Sequence, residues 1–276
     1  MIDGYKIISG TFLTNSIING YYPTSRCCLE SLGKADYVDE VIVAEGQSID
    51  DTVNSHRDIN KVRFIHAPLW SIDSFSYKNT ADQYASLFKY CSDQNEKIVL
   101  TINWCDTILL DPYRNEYKTA VSDLVRSDSN FMLLPGGSKV LCRTLKTCEY
   151  GTPTSFYTLS SYRFDPGHGW TEIVDFEKKL IGVDAPKIFR HNWKTTYYTY
   201  EMLTFTRKNF EDKIRRHCEW DHSWSVDRMI DEKILKKSRS IGTVKMKESD
   251  HPQDIKNLLS TLTEDHYGFS CFGHVR

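Results

Sequence analysis

The sequence predicts an α/β fold: a predominantly parallel central sheet flanked by helices, with a helical extension at the C-terminal end. Three observations lead there. The first half alternates short apolar runs of strand length with longer stretches of helical periodicity, the pattern of a sheet covered on both faces. The clearest strand, within Val38–Thr52 (V-D-E-V-I-V-A-E-G-Q-S-I-D-D-T), is a continuous apolar run from Val41 to Ala44 that stops abruptly at Glu45 and Gly46. Polar stretches follow three of the strands, at Glu45–Asp51, Asn103–Asp106 and Arg190–Trp193. In an open parallel sheet such endings converge on one edge, where ligands bind.

Taken in order, Tyr5–Ser9 (Y-K-I-I-S) is a first strand ending at Ser9-Gly10. A loop with Asn15 and Asn19 leads to a helix opened by Tyr22-Pro23-Thr24, proline being suited to a first helical turn. The central strand and its acidic turn follow, with Ser48, Asp50, Asp51 and Thr52 offering N-cap chemistry, and then Lys61–His66 as a third strand. Tyr77, Ala81, Tyr84, Phe88 and Cys91 recur at helical spacing and mark one face of an amphipathic helix. Lys97–Ile102 is the next strand, and Pro112 begins a helix with Tyr113, Tyr117, Val121 and Leu124 on one face. Phe131–Leu134 and Val140–Cys142 are short strands around Pro135-Gly136-Gly137, and Phe156–Phe164 is a further strand pair. From about Glu201 the pattern turns helical and more charged, which divides the chain into a core of residues 1–200 and an extension of residues 201–276 packed on it.

Composition narrows the function classes. Hydrophobic residues make up 40% and charged residues 26% of the 276, which is ordinary for a globular protein. The net charge of −2 gives no global reason to expect nucleic acid as a partner. Arg207–Lys247, with 12 Lys/Arg against 7 Asp/Glu, is locally basic and carries Phe210, Trp220 and Trp224. A solvated helix face or a peripheral contact with an anionic membrane accounts for it as well as a nucleic-acid face does. The chain shows no apolar run of membrane-spanning length and no secretory signal at Met1–Lys6, so a cytoplasmic location is expected. The 8 cysteines form no C-x-x-C pair, so they read as reduced, buried thiols rather than a zinc site or a disulfide framework.

Glu45 and Gly46, just beyond a strand, form a wall for a nucleotide base and ribose, or else a solvated turn. Asp106 and His191 are suited to share a hard divalent cation, Mn²⁺ or Mg²⁺, with diphosphate oxygens and waters completing its shell. Taken singly, Asp106 is as readily a strand-end cap and His191 a satisfied, half-buried imidazole. Their common position at strand ends is what points to a site. A fourth stretch, Asp165–Glu172 (D-P-G-H-G-W-T-E), places His168 between glycines and offers the Trp170 face for a sugar ring to stack on. Glu172, with Asp175 one helical turn on, supplies a carboxylate able to serve as general base toward an acceptor hydroxyl. The competing reading is a surface loop leading into a helix N-cap.

Several motifs are missing. No G-x-x-x-x-G-K-[ST] P-loop occurs, no G-x-G-x-x-G follows the first strand, and neither G-x-S-x-G nor H-E-x-x-H is present. These absences argue against P-loop, nicotinamide-binding, serine-hydrolase and zincin chemistry.

Ile8–Ser16 (I-S-G-T-F-L-T-N-S), Tyr21–Leu32 (Y-Y-P-T-S-R-C-C-L-E-S-L) and, most strongly, Asp39–Thr52 (D-E-V-I-V-A-E-G-Q-S-I-D-D-T) together resemble a family-2-type glycosyltransferase of the GT-A fold, a Rossmann-like sheet. Many members read DEVIVVDGGSTDGT at the last of these. The resemblance implies an enzyme of glycan biosynthesis that moves a hexosyl or deoxyhexosyl group from a nucleotide-sugar donor (UDP-, GDP- or dTDP-linked) to a hydroxyl of a glycan or glycoconjugate acceptor, with inversion. It implies that Ser9, Gly10, Thr11 and Glu45 border the donor nucleotide and that Asp51 holds the donor or orders the turn. Ile102–Asp106 (I-N-W-C-D) is similar to the family's metal-binding Asp-x-Asp segment; Asp106 matches the final Asp, and Trp104 stands where the first would be. Ile188–Trp193 (I-F-R-H-N-W) resembles a late segment whose histidine completes the metal shell, here His191. Trp170–Phe176 resembles the acceptor-side segment, with Glu172 the closest carboxylate to the base and Asp175 the next.

Two other classes compete. A catalytically silent nucleotide-sugar-binding protein is favoured by Trp104 in place of an acid. A nucleotidyltransferase would carry a glycine-rich basic loop after the first strand, whereas Ser9–Asn15 has one glycine and no lysine or arginine.

Overall fold

A computed structural model of the chain describes residues 1–68, 77–105, 107–108, 111–129, 131–133, 138–142, 147–151, 160–167, 170–175, 179–182, 188–190, 196–199, 205–220, 225, 227, 240–245, 249, 251, 253–259 and 262–266. In chain order the elements of the first half are β1 (Lys6–Leu13), α1 (Thr24–Gly33), β2 (Glu40–Glu45), β3 (Val62–His66), α2 (Tyr77–Asp93), β4 (Ile98–Ile102), β5 (Thr107–Ile108) and α3 (Asp111–Arg126). Then come β6 (Phe131–Leu133), β7 (Ser138–Cys142), β8 (Thr147–Gly151), β9 (Ser160–Phe164), β10 (Trp170–Asp175), β11 (Lys179–Gly182), β12 (Ile188–Arg190) and β13 (Thr196–Thr199). The last stretch holds α4 (Arg207–Trp220), β14 (Ser240–Lys245) and α5 (Gln253–Leu259).

The principal sheet has seven strands in the order β12-β6-β9-β4-β1-β2-β3. β1 runs parallel to β2 and β4, β2 to β3, and β12 to β6, while β9 is antiparallel to both β4 and β6. Six strands therefore share one direction, and their carboxyl ends form a single edge. This is the α/β, predominantly parallel arrangement with flanking helices that the sequence predicts.

Burial on both faces explains the unbroken apolar strands. Ile7, Leu13, Val41, Val43 and Val99 pack with Cys28, Leu29 and Leu32 of α1 and Tyr117, Val121 and Leu124 of α3. Ile8, Phe12, Ile42, Ala44, Leu100 and Ile102 pack on the opposite face with Tyr84, Leu87, Phe88 and Cys91 of α2. The helical spacing of those four α2 residues is what puts them on one stripe.

Several boundaries differ from the sequence reading. The first strand does not stop at Ser9-Gly10 but continues to Leu13. Gly10 is a packing glycine rather than a turn: a Cβ there would lie 2.9 Å from Leu87 Cδ1 and 3.0 Å from Leu100 Cδ1. Pro23 occupies the N-cap of α1, one residue before its first turn, after a cis Tyr22–Pro23 peptide bond. Trp170–Asp175 is neither loop nor helix start but strand β10, antiparallel to β11 with register shifts after Trp170 and after Ile173. Asp175 thus follows Glu172 along a strand, not one helical turn on.

A second sheet has the order β14-β8-β7-β13-β5. The short β5 is not evident in the sequence, and β14, within residues 201–276, pairs antiparallel with β8. α5 buries Ile255 in the same core as α1 and α3. Cys27, Cys28 and Cys91 are buried and Cys105 partly buried, and none of these four forms a disulfide. Among the described residues no helix is long and apolar enough to cross a membrane.

Candidate functional site

Strand register places the sequence-predicted residues. Leu13 at the end of β1 is opposite Glu45 at the end of β2, and Gly10 is opposite Ile102 at the end of β4. Glu45 ends β2 and Trp104 lies two residues beyond β4, while Ser9, Gly10 and Thr11 lie inside β1 beside the end of β4.

Their individual settings differ. Ser9 and Thr11 are fully buried. Ser9 Oγ accepts a hydrogen bond from Asn103 Nδ2 at 2.6 Å and one from Thr101 Oγ1 at 3.3 Å. Asn103 N also donates to Gly10 O at 2.8 Å. Asn103 is thereby clamped to β1 by both its backbone and its side chain, which fixes where the chain leaves the sheet. Trp104, the next residue, is 38% exposed and meets Phe12 edge-on, with ring centroids 6.5 Å apart. Cys28 Sγ donates to Trp104 O at 3.4 Å. An exposed indole held on an anchored backbone is a stacking surface for a planar ring.

Glu45 Oε1 accepts the Ser48 backbone N–H at 2.5 Å, so this carboxylate closes its own turn at the end of β2. Asp51 is exposed and accepts from Asn54 Nδ2 at 2.7 Å. The carboxylate that joins the two loops is its neighbour Asp50. Asp50 Oδ2 accepts from Ile17 N at 3.1 Å and Ile18 N at 3.0 Å, and Oδ1 accepts from Thr52 N at 3.0 Å and from the Thr52 hydroxyl. Partial burial disfavours ionisation of Asp50, but the hydrogen bonds from Thr52, Ile18 and Ile17 outweigh it and hold its carboxyl below the usual carboxylate range. Further bonds stitch the same loops: Asn15 N to Ser48 Oγ at 2.8 Å, Ile49 N to Asn15 Oδ1 at 2.8 Å, and Ser16 N to Thr52 Oγ1 at 2.7 Å.

Behind the β2 loop lies fully buried His56. Its Nδ1 is 2.6 Å from Thr52 O, a pure acceptor, so Nδ1 carries the proton and Nε2 accepts from Ser25 Oγ at 2.9 Å. Burial, with Arg26 nearby, pushes the imidazole below its ordinary value and keeps it neutral. The short-range sequence pattern shows the Asp50–Thr52 turn but not this network, because Ser25 and His56 are 31 positions apart.

The acceptor-side and metal-side residues are placed only by backbone, and in part not at all. Trp170, Glu172 and Asp175 lie on β10, which runs alongside α2. Asp106, His168 and His191 lie outside the described residues. Among the described residues no three His, Cys, Asp or Glu side chains cluster as a metal site. The strands before and after Asp106 and His191 are described. β4 and β12 end on the same edge of the principal sheet, three strand spacings or about 14 Å apart. The chain next enters β5 at Thr107 and β13 at Thr196, and these two strands pair, Thr107 opposite Thr199 and Ile108 opposite Tyr198.

No family model matches the chain, and no curated protein matches it. Among solved structures, S. aureus TarS (residues 1–349) is 16% identical, with 83% of this chain and 75% of that one covered and a TM-score of 0.41. The mannosyltransferase PcManGT from Pyrobaculum calidifontis, solved in complex with GDP-Man and Mn²⁺, is 11% identical, with 94% and 70% covered and a TM-score of 0.43. The 4-diphosphocytidyl-2C-methyl-D-erythritol synthase from Anaerococcus prevotii DSM 20548 is 11% identical, with 94% and 99% covered and a TM-score of 0.37. The chain is similar to each of these at identities that leave its function to be argued from its own residues.

Proposed function

We propose that the protein is an inverting, family-2-type glycosyltransferase of GT-A fold, in which residues 1–200 form the catalytic unit and residues 201–276 an extension. One observation carries this reading: β4 and β12, the strands before Asp106 and His191 in sequence, end on the same carboxyl edge of the parallel sheet, and β5 and β13, the strands after them, pair. That topology supports a shared site for two ligands 85 positions apart in sequence. One carboxylate and one imidazole suit Mn²⁺ or Mg²⁺, which keep waters and take diphosphate oxygens. Bound there, the cation would neutralise charge on the departing nucleoside diphosphate.

The protein's own residues do the rest. Glu45, fixed by Ser48, faces the ribose side of the donor, and Trp104 offers its indole to the base. Thr11, Gly10 and Ser9 form the floor, and Asp51 lies on the rim. Glu172 takes the proton from the acceptor hydroxyl as that oxygen attacks the anomeric carbon and the bond to the diphosphate oxygen breaks; Asp175 is the reserve carboxylate. Trp170 and His168 hold the acceptor.

A second reading, a silent nucleotide-sugar-binding protein, is favoured by exposed Trp104 in place of the first acid. Incubation with UDP-, GDP- and dTDP-sugars and Mn²⁺, reading released nucleoside diphosphate, separates the two. Turnover lost in Asp106→Ala and in Glu172→Gln is the expected result. Binding of a donor with no turnover of any would establish the second reading. Full transfer by Glu172→Gln would remove Glu172 as base.

A further inference from the structure

We propose that the isoleucine-tipped loops after β1 and β2, with the basic helix α4 beside them, form a docking surface for an anionic lipid bilayer. Ile49 is 85% exposed, Ile18 57% and Ile17 43%. They stand on two loops tied to each other at close range, since Asp50 on one loop accepts from the backbone of Ile17 and Ile18 on the other, and Asn15 accepts from Ile49 N. Scattered exposed isoleucines need no explanation, but three on one cross-linked pair of loops do. The cross-links hold the tips outward, so the apolar groups cannot fold back onto their own core.

The charge pattern selects the occupant. Asn209 of α4 donates from Nδ2 to Ile18 O at 3.1 Å, and the same side chain sits against Gly20, where a Cβ would approach Nδ2 to 2.4 Å. Gly20 has φ +76° and no side chain, so the loop and helix meet closely. Lys213 of α4 lies over the rings of Tyr21 and Phe205 at 5.5 Å and 5.4 Å from their centroids. Lys208 and Arg215 on the helix are exposed. α4 opens the stretch Arg207–Lys247, whose excess of five positive charges leaves the remainder of a chain of net charge −2 at −7. Within that stretch, α4 itself carries 5 Lys/Arg against 3 Asp/Glu. Among the described residues of α4 the exposed charges, Lys208 and Arg215, are both basic, Glu211 and Asp212 being half-buried. On the loops Asp50 is tied up by Ile17, Ile18 and Thr52, leaving Asp51 as the exposed acid beside the tips. Apolar tips beside these cations match the interface of an anionic membrane, where tips enter the acyl boundary and cations stay at the headgroups. A second copy of an acidic chain offers no such complementarity except at this same segment.

The surface does not depend on the proposed sugar transfer, and its test uses no donor. The full chain is mixed with sucrose-loaded vesicles of phosphatidylcholine alone or of phosphatidylcholine with phosphatidylglycerol, and the sedimented fraction is measured. The expected result is binding to the mixed vesicles, weakening with salt, and about tenfold loss in the Ile17→Ser/Ile18→Ser/Ile49→Ser variant. Lys208→Glu/Arg215→Glu should lose the preference for the anionic lipid. The substituted side chains are all exposed, and circular dichroism of each variant verifies its fold. No binding to mixed vesicles, or equal binding by the triple-serine variant, would overturn the proposal. Self-association of the parent, lost in that variant without any vesicle binding, would overturn it in favour of a second copy.

Discussion

Replacing Asp50 by alanine tests whether one carboxylate holds together the two loops at the candidate donor edge. The side chain accepts four hydrogen bonds, from Ile17 N, Ile18 N, Thr52 N and the Thr52 hydroxyl. The Ile17 and Ile18 amides are in an exposed setting, so water replaces their acceptor and each loss costs about 0.5 kcal/mol. Thr52 is fully buried, so its amide and hydroxyl are left without that acceptor at a cost of about 1–2 kcal/mol together. The expected loss is about 2–3 kcal/mol of unfolding free energy, read by urea denaturation. Amide hydrogen exchange should accelerate at Ile17, Ile18 and Thr52 before anywhere in the sheet. The pH dependence has a definite sign. A carboxyl held below its ordinary value of 3.8 contributes stability present above that value and lost as pH falls through the lower folded-state value. Asp50→Ala should abolish that part of the acid sensitivity. A variant as stable as the parent, with unchanged exchange at Ile17 and Ile18, would refute the idea that Asp50 is the clasp.

Asn103→Ala removes the 2.6 Å bond to buried Ser9 and should cost about 1–3 kcal/mol, measured by thermal unfolding, with donor affinity falling as Trp104 loses its anchor. Gly10→Ala forces a methyl against Leu87 and Leu100 and should cost about 1–3 kcal/mol; substitution of Leu87 by alanine in the same chain should recover part of it in a double-mutant cycle. His56, neutral and buried, binds its proton less readily when folded than when unfolded. Stability should therefore drop as pH falls below about 6.5 toward the lower folded-state value, and His56→Gln should flatten that slope in pH-dependent urea titrations.

The principal sheet was legible because its strands are buried on both faces and its helices bury one stripe each. Val41–Ala44 and the Tyr84, Phe88, Cys91 stripe announce themselves through hydrophobicity alone, and Leu87 joins that stripe in the structure. Gly10 misled because a packing glycine inside a strand has the same local signature as a turn. β5 is two residues long and is defined by its pairing with β13, nearly a hundred positions away, so no local pattern marks it. β10 was obscured by the preceding Pro166, Gly167 and Gly169, whose turn chemistry hides the strand that follows. In the site, the strand-end positions of Glu45 and Trp104 followed from the pattern, whereas Ser9 proved to lie inside β1. The choice between Asp50 and Asp51 did not, because the direction of each carboxylate depends on a turn stabilised by another loop.

The place of β9 in the sheet has a consequence for how the chain is made. β1, α1, β2, β3, α2 and β4 form one contiguous stretch that contains both partners of the β1–β2, β2–β3 and β1–β4 pairs, so this unit can assemble before the rest of the sheet is made. β4, however, has β9 as its outer neighbour, and β9 begins only at Ser160. Until that strand emerges during synthesis, the wholly buried row Ile98–Ile102 presents an open edge. A fragment ended near Ser129 should therefore self-associate through β4, whereas one carried past Phe164 has that edge sealed.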